Sequence, residues 1–150
     1  MNKQSVRDFK EIKKTCSKPR RQKFVVDKML EFVLKNGLGY VDYFIAFGFN
    51  INVNSCEGHT LLHLAVLQGD LPLVVRLLTL GADIRAKDAY ERTPFIRAII
   101  HGKHYLLGIF YKFGTDINQK TKSGKSAISL AKLCSEKCFN KLLQLGAINE

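Results

Sequence analysis

Between residues 58 and 84 the chain reads GHTLLHLAVLQGDLPLVVRLLTLGADI. Two short apolar runs with helical spacing are parted by Gly69-Asp70 and closed by Gly81-Ala82-Asp83. The pattern returns at a step of thirty-three residues. Gly48-Phe49-Asn50-Ile51, Gly81-Ala82-Asp83-Ile84 and Gly114-Thr115-Asp116-Ile117 keep one register. Thr60, Thr93 and Ser126 keep the same interval, as do Ala65, Ala98 and Ala131, and Gly58, Glu91 and Gly124. A single step shared by several independent markers identifies an internal repeat.

Each unit reads as a pair of short helices. The hydroxyl of Thr60, Thr93 or Ser126 caps the first helix by accepting a free N–H of its opening turn. The small Ala65, Ala98 or Ala131 lets neighbouring helices approach, and Gly69 or Gly102 ends the first helix with a tight turn. The second helix is expected from Leu71 to Leu80 or from Lys103 to Phe113, with Pro72 in its first turn, where a missing N–H costs nothing. Gly81 or Gly114 stops it, and an extended hairpin-like loop leads on. One such pair cannot bury its own apolar face and must bury it against the next copy. The predicted fold is therefore all-α, a solenoid of about four stacked helix-turn-helix units with hairpin-like loops.

The expected organisation is a basic segment over residues 1–23, partly disordered or briefly helical, followed by the repeat domain over 24–150. Within it, 24–54 reads as a degenerate cap, 55–87 and 88–120 as repeats, and 121–150 as a C-terminal cap. Phe32 stands where the small Ala belongs, marking the first unit as atypical. In the last unit Gly146 arrives one residue early, as for a cap fraying into Asn149-Glu150, and Ser135, Lys137, Asn140, Lys141 and Gln144 are expected to offer the polar outer surface an end unit requires.

The pattern resembles the ankyrin repeat, carried by the stretch quoted above, by ERTPFIRAIIHGKHYLLGIFYKFGTDI and by GKSAISLAKLCSEKCFNKLLQLGA, over roughly residues 24–148. The resemblance implies a binding module. It also implies that His63 bonds the Thr60 side chain and nearby backbone, a structural role. A partner would meet the loop tips and the inner face of the first helices. Carried over by position, that surface holds Glu57 and His59 from one unit, Lys87, Tyr90, Arg92 and His101 from the next, and Lys120, Lys122 and Lys125 from the last. The first set has an acid and no Lys or Arg, whereas the later sets hold five bases and no acid. Tyr90 and Arg92 are residue types that anchor interfaces.

Composition changes little: at 150 residues, 46% hydrophobic and 25% charged, the chain is an ordinary single globular domain. Charge adds more. Residues 1–23 carry nine Lys/Arg against two acids, a net of +7 out of the chain's +11. Lys13, Lys14, Lys18, Arg20, Arg21 and Lys23 are weighed as a nuclear-import address, a polyanion-binding arm or a solvated tail. No aromatic is interleaved to stack a base, which weakens the nucleic-acid reading. No apolar run suits a membrane span or a secretory signal, so an intracellular, cytoplasmic or nuclear monomer with free thiols is expected.

No set of base, nucleophile and orienting partner is present, so no enzyme is expected and no cofactor. His101 and His104 at i,i+3 and Cys134 and Cys138 at i,i+4 form a conceivable zinc set, but helices of successive units lie ~10 Å apart, and no metal is expected. The expected function is non-enzymatic association with an intracellular protein, through an acidic segment of that partner, as inhibitor or adaptor. A short stand-alone stack also resembles the IκB-like inhibitors of some viruses and the host-directed ankyrin effectors of intracellular microbes; the former implies an alternative as an inhibitor of NF-κB-type transcription factors. A polyanion adaptor led by the basic N-terminus is a further alternative.

Overall fold

A computed structural model describes residues 7, 28, 30–35, 38–46 and 48–148. The basic cluster from Lys13 to Lys23 lies outside the described residues, as do Asn149 and Glu150. Among the described residues, 30–35 are helical. They are followed by α1 (Leu38–Ala46), α2 (Leu61–Gln68), α3 (Leu71–Thr79), α4 (Pro94–Ile100), α5 (His104–Lys112), α6 (Ala127–Cys134) and α7 (Glu136–Gln144). The expected all-α repeat stack is what the chain forms. First helices make one row, α2 on α4 and α4 on α6. Second helices make the other, α1 on α3 and α5 on α7. No helix among the described residues is long and apolar enough to cross a membrane.

The caps work as the residue types dictate. Thr60, Thr93 and Ser126 accept the N–H of His63, Ile96 and Ser129 respectively. Asp70 accepts from Leu73 N–H at 3.0 Å to open α3, with Pro72 in its first turn. Gly69 closes α2 in the left-handed region at φ +77°. Ala65, Ala98 and Ala131 are fully buried, which is why no larger side chain serves at the contact between first helices. Phe95 and Phe110, both fully buried, meet edge to face with centroids 6.0 Å apart and join α4 to α5. Truncating either to Ala would cost about 3–5 kcal/mol. In the atypical first unit Phe32, at the register position of those alanines, is half-buried and meets Tyr40 edge to face.

The early Gly146 has a structural cause other than fraying. Two residues part α2 from α3 and three part α4 from α5, but Ser135 alone parts α6 from α7. It ends α6 with extended backbone and caps α7 by accepting from Cys138 N–H. The last unit is thus one residue short at its inner corner. Buried second-helix positions follow: Leu73 and Leu106 correspond at a step of thirty-three, then Leu106 and Cys138 at thirty-two, as do Phe110 and Leu142.

Candidate partner-binding surface

The loop tips share one construction. The N–H of Ser55, Asp88 and Thr121 donates to the carbonyl of His59, Arg92 and Lys125 at 2.8–3.1 Å, and the fourth residue of each turn donates back to their carbonyls. Those three polar side chains recur at the repeat step and fold in under the turn. Ser55 Oγ accepts from Glu57 and His59 N–H, and Asp88 Oδ1 from Tyr90 and Arg92 N–H at 2.8 and 2.9 Å. The fourth position needs left-handed backbone. Gly58 and Gly124 supply it at φ +75° and +77°. At Gly58 a Cβ would lie 2.8 Å from Ala89 N, so glycine also lets adjacent tips touch, and Ala89 N–H donates to Glu57 O at 3.0 Å.

Behind these tips a buried polar network joins the second and third units. Asp88 Oδ2 accepts from Arg97 Nε at 2.7 Å and Nη2 at 2.6 Å, the two side chains being 0% and 9% exposed. Arg97 Nη2 also donates to His59 Nε2 at 2.5 Å. Because a guanidinium only donates, the His59 proton sits on Nδ1, facing Glu57 Oε2 at 3.4 Å. Burial, with the Arg97 charge, depresses the His59 pKa below 6.5, against the pull of Glu57 and Asp88. For Asp88 burial acts upward, but the Arg92 N–H, the Arg97 guanidinium and the Tyr90 N–H outweigh it and hold the carboxyl below its ordinary value.

His63 is wholly buried. Its Nδ1 accepts from Thr60 N–H at 3.2 Å, and its Nε2–H donates to Arg92 O at 2.9 Å. The pairing with Thr60 is the one the resemblance implies; the link to the next unit is additional. Burial lowers the His63 pKa despite the Arg92 carbonyl. The third unit lacks this histidine, and there Thr93 Oγ1 donates to Gln119 Oε1 at 2.8 Å.

Of the residues assigned to the partner surface, Glu57, Lys87, Tyr90, His101, Lys120, Lys122 and Lys125 are exposed. Tyr90 is 64% exposed, and half-buried Arg92 lays its guanidinium over that ring, 4.6 Å from the centroid. His59 is placed differently. It is 8% exposed because Arg97 draws its ring inward, so it supports the tip rather than facing outward. The third tip is not free of acid either: Glu91 stands at its summit, 2.8 Å from Lys122 Nζ. Asp88, Glu91 and Arg97 shape or underlie this candidate surface, and the sequence reasoning did not single them out. Arg97 had a visible signal as the charged residue inside the apolar PFIRAII, and Asp88 as the partner in register of Ser55 and Thr121. Among the conceivable zinc ligands, His101 and Cys134 are exposed whereas Cys138 is buried in α7, its thiol pushed up in pKa by that burial. Among the described residues no group of three or more His, Cys, Asp or Glu is placed to hold a metal ion.

The family model described as ankyrin repeats (3 copies) matches residues 29–121 and 62–150. The B-cell lymphoma 3 protein homolog of Mus musculus is 35% identical over 83 residues, 55% of this chain and 18% of that protein. The putative ankyrin repeat protein FPV018 of fowlpox virus is 38% identical over 94 residues, 61% of this chain and 13% of the relative. Palmitoyltransferase AKR1 of Saccharomyces cerevisiae is 33% identical over 82 residues, 55% of this chain and 11% of the enzyme. The chain thus spans less than a fifth of the length of these relatives. With helix pairs stacked at a fixed step, capped by Thr60, Thr93 and Ser126, and matched from residue 29 to residue 150, the chain belongs to the ankyrin-repeat family.

Proposed function

We propose that this chain is a non-enzymatic, intracellular interaction module that seats an acidic segment of a partner protein on its loop tips and first-helix face, acting as inhibitor or adaptor. The ankyrin repeat is a non-catalytic interaction fold. The observation that carries the acidic preference is the exposed run of Lys87, Lys120, Lys122 and Lys125 on the third and fourth tips, beside the Tyr90–Arg92 stack. The ring supplies a rigid apolar anchor and the lysines draw in carboxylates. Lys87→Glu, Arg92→Glu and Lys122→Glu together should abolish co-purification of the partner from the native cell, identified by mass spectrometry. Unchanged capture, with the helical circular dichroism intact, would refute the assignment. The likeness to a fowlpox virus ankyrin protein favours a second reading, an IκB-like inhibitor of NF-κB-type factors. Competition for such a factor in a reporter assay would separate the two.

A further inference from the structure

We propose that Glu91 is a built-in stand-in for the partner's carboxylate, masking Lys122 until an acidic segment displaces it. The inference rests on the acidic-partner reading and deepens it.

Backbone conformation is the first support. Glu91 has φ +58°, and among the described residues it is the non-glycine with positive φ, at the position Gly58 and Gly124 fill in the flanking tips. A side chain with a Cβ is disfavoured there. The turn does not need the carboxylate, since Asp88 holds it from within and Glu91 contributes only its backbone N–H. What the side chain makes instead is a contact across units, Oε1 to Lys122 Nζ at 2.8 Å. The Lys122 hydrogen bond and charge, joined by the Lys87 charge, hold the Glu91 carboxyl below its ordinary pKa.

Exposure is the second support. The Lys122 and Glu91 side chains are 70% and 44% exposed, so the pair opens to solvent and exchanges readily. An incoming carboxylate meets Lys122, the cation Glu91 already pairs, beside an exposed Tyr90 ring. A single stray anion gains little, because it must replace a tethered one. A segment with several acids gains more, since it also reaches Lys120 and Lys125, so the device selects for clustered acids.

The test uses the full chain and a labelled oligo-glutamate peptide at low ionic strength, with binding read by fluorescence anisotropy. Glu91→Gln should tighten binding about threefold to fivefold, and Glu91→Gly, which keeps the turn, should do the same. Glu136→Gln removes an equal charge from the exposed start of α7, away from the tips, and should change affinity less than twofold. Lys122→Gln should cost little in the native background and several-fold more beside Glu91→Gln, because only there is Lys122 unmasked. Equal gains from Glu136→Gln and Glu91→Gln, or an additive Glu91 and Lys122 cycle, would overturn the stand-in and leave the acidic-partner reading in place. No peptide binding by the native chain or by Glu91→Gln would overturn both.

Discussion

The buried ion pair between Asp88 and Arg97 is the sharpest place to perturb this protein. Asp88→Asn keeps the shape of the side chain and one oxygen to accept from Tyr90 and Arg92 N–H. It removes the charge that faces Arg97 at 2.6 Å where the side chains are 0% and 9% exposed. The guanidinium is then left with a neutral amide and the ring of His59, whose Nε2 it already uses. Leaving a buried charge unpaired in this way costs about 3–5 kcal/mol. Against a typical total of about 5–15 kcal/mol this is a large share. For a chain of this size it lowers the thermal midpoint by about 10 °C. Urea unfolding followed at 222 nm gives the loss directly. Because the pair joins the second and third units, weakening it should also broaden the transition, as nearest-neighbour coupling in a repeat stack requires. Asp88→Asn combined with Arg97→Met removes both charges and should recover part of the loss, so the two changes are non-additive. A loss below about 1 kcal/mol, the range of exposed ion pairs, or strict additivity would refute the reasoning.

Three further outcomes follow from the packing. Thr115 stands where Ala82 and Ala147 stand in the adjoining units and buries a hydroxyl without a hydrogen-bond partner; Thr115→Ala should raise stability by about 1 kcal/mol in urea titration. Ala at Gly124 meets open space and should cost about 1 kcal/mol for its left-handed backbone alone, whereas Gly58→Ala adds a 2.8 Å contact with Ala89 N and should cost at least twice as much. His59 and His63 are both lowered from 6.5, so the folded chain binds fewer protons than the unfolded one as they titrate. Stability is then fully present above about pH 6.5 and falls as the pH drops through the lowered folded values. Midpoints at about pH 7.5 and pH 5.5 should differ less for His59→Gln than for the native chain, and an unchanged difference would remove His59 as a contributor.

What could be read before the structure is what repeats. Thr60, Thr93 and Ser126 cap because a helix start needs an acceptor wherever it occurs, and Ala65, Ala98 and Ala131 are small because each lies at the same close contact. Such demands are local, so they print themselves at a fixed step. The misreadings concern demands that cross the stack. His59 looks like a loop residue until Arg97, thirty-eight positions on, reaches back to it. Glu91 breaks the glycine register, and its partner Lys122 lies thirty-one positions away. Gly146 could be seen to come early, but nothing in the string says that the missing residue belongs to the corner at Ser135 rather than to the helix that follows.

That shortened corner also governs how the chain can be rebuilt. A chimera cut and rejoined at a constant interval of thirty-three would feed the terminal helix in one position out of phase. One residue is a rotation of about 100° about the helix axis. Cys138 and Leu142 would swing out toward water, and Asn140 and Leu143 would turn inward in their place. Splices into this terminal pair must therefore be measured from Ser135, not from the glycine that closes the unit before it.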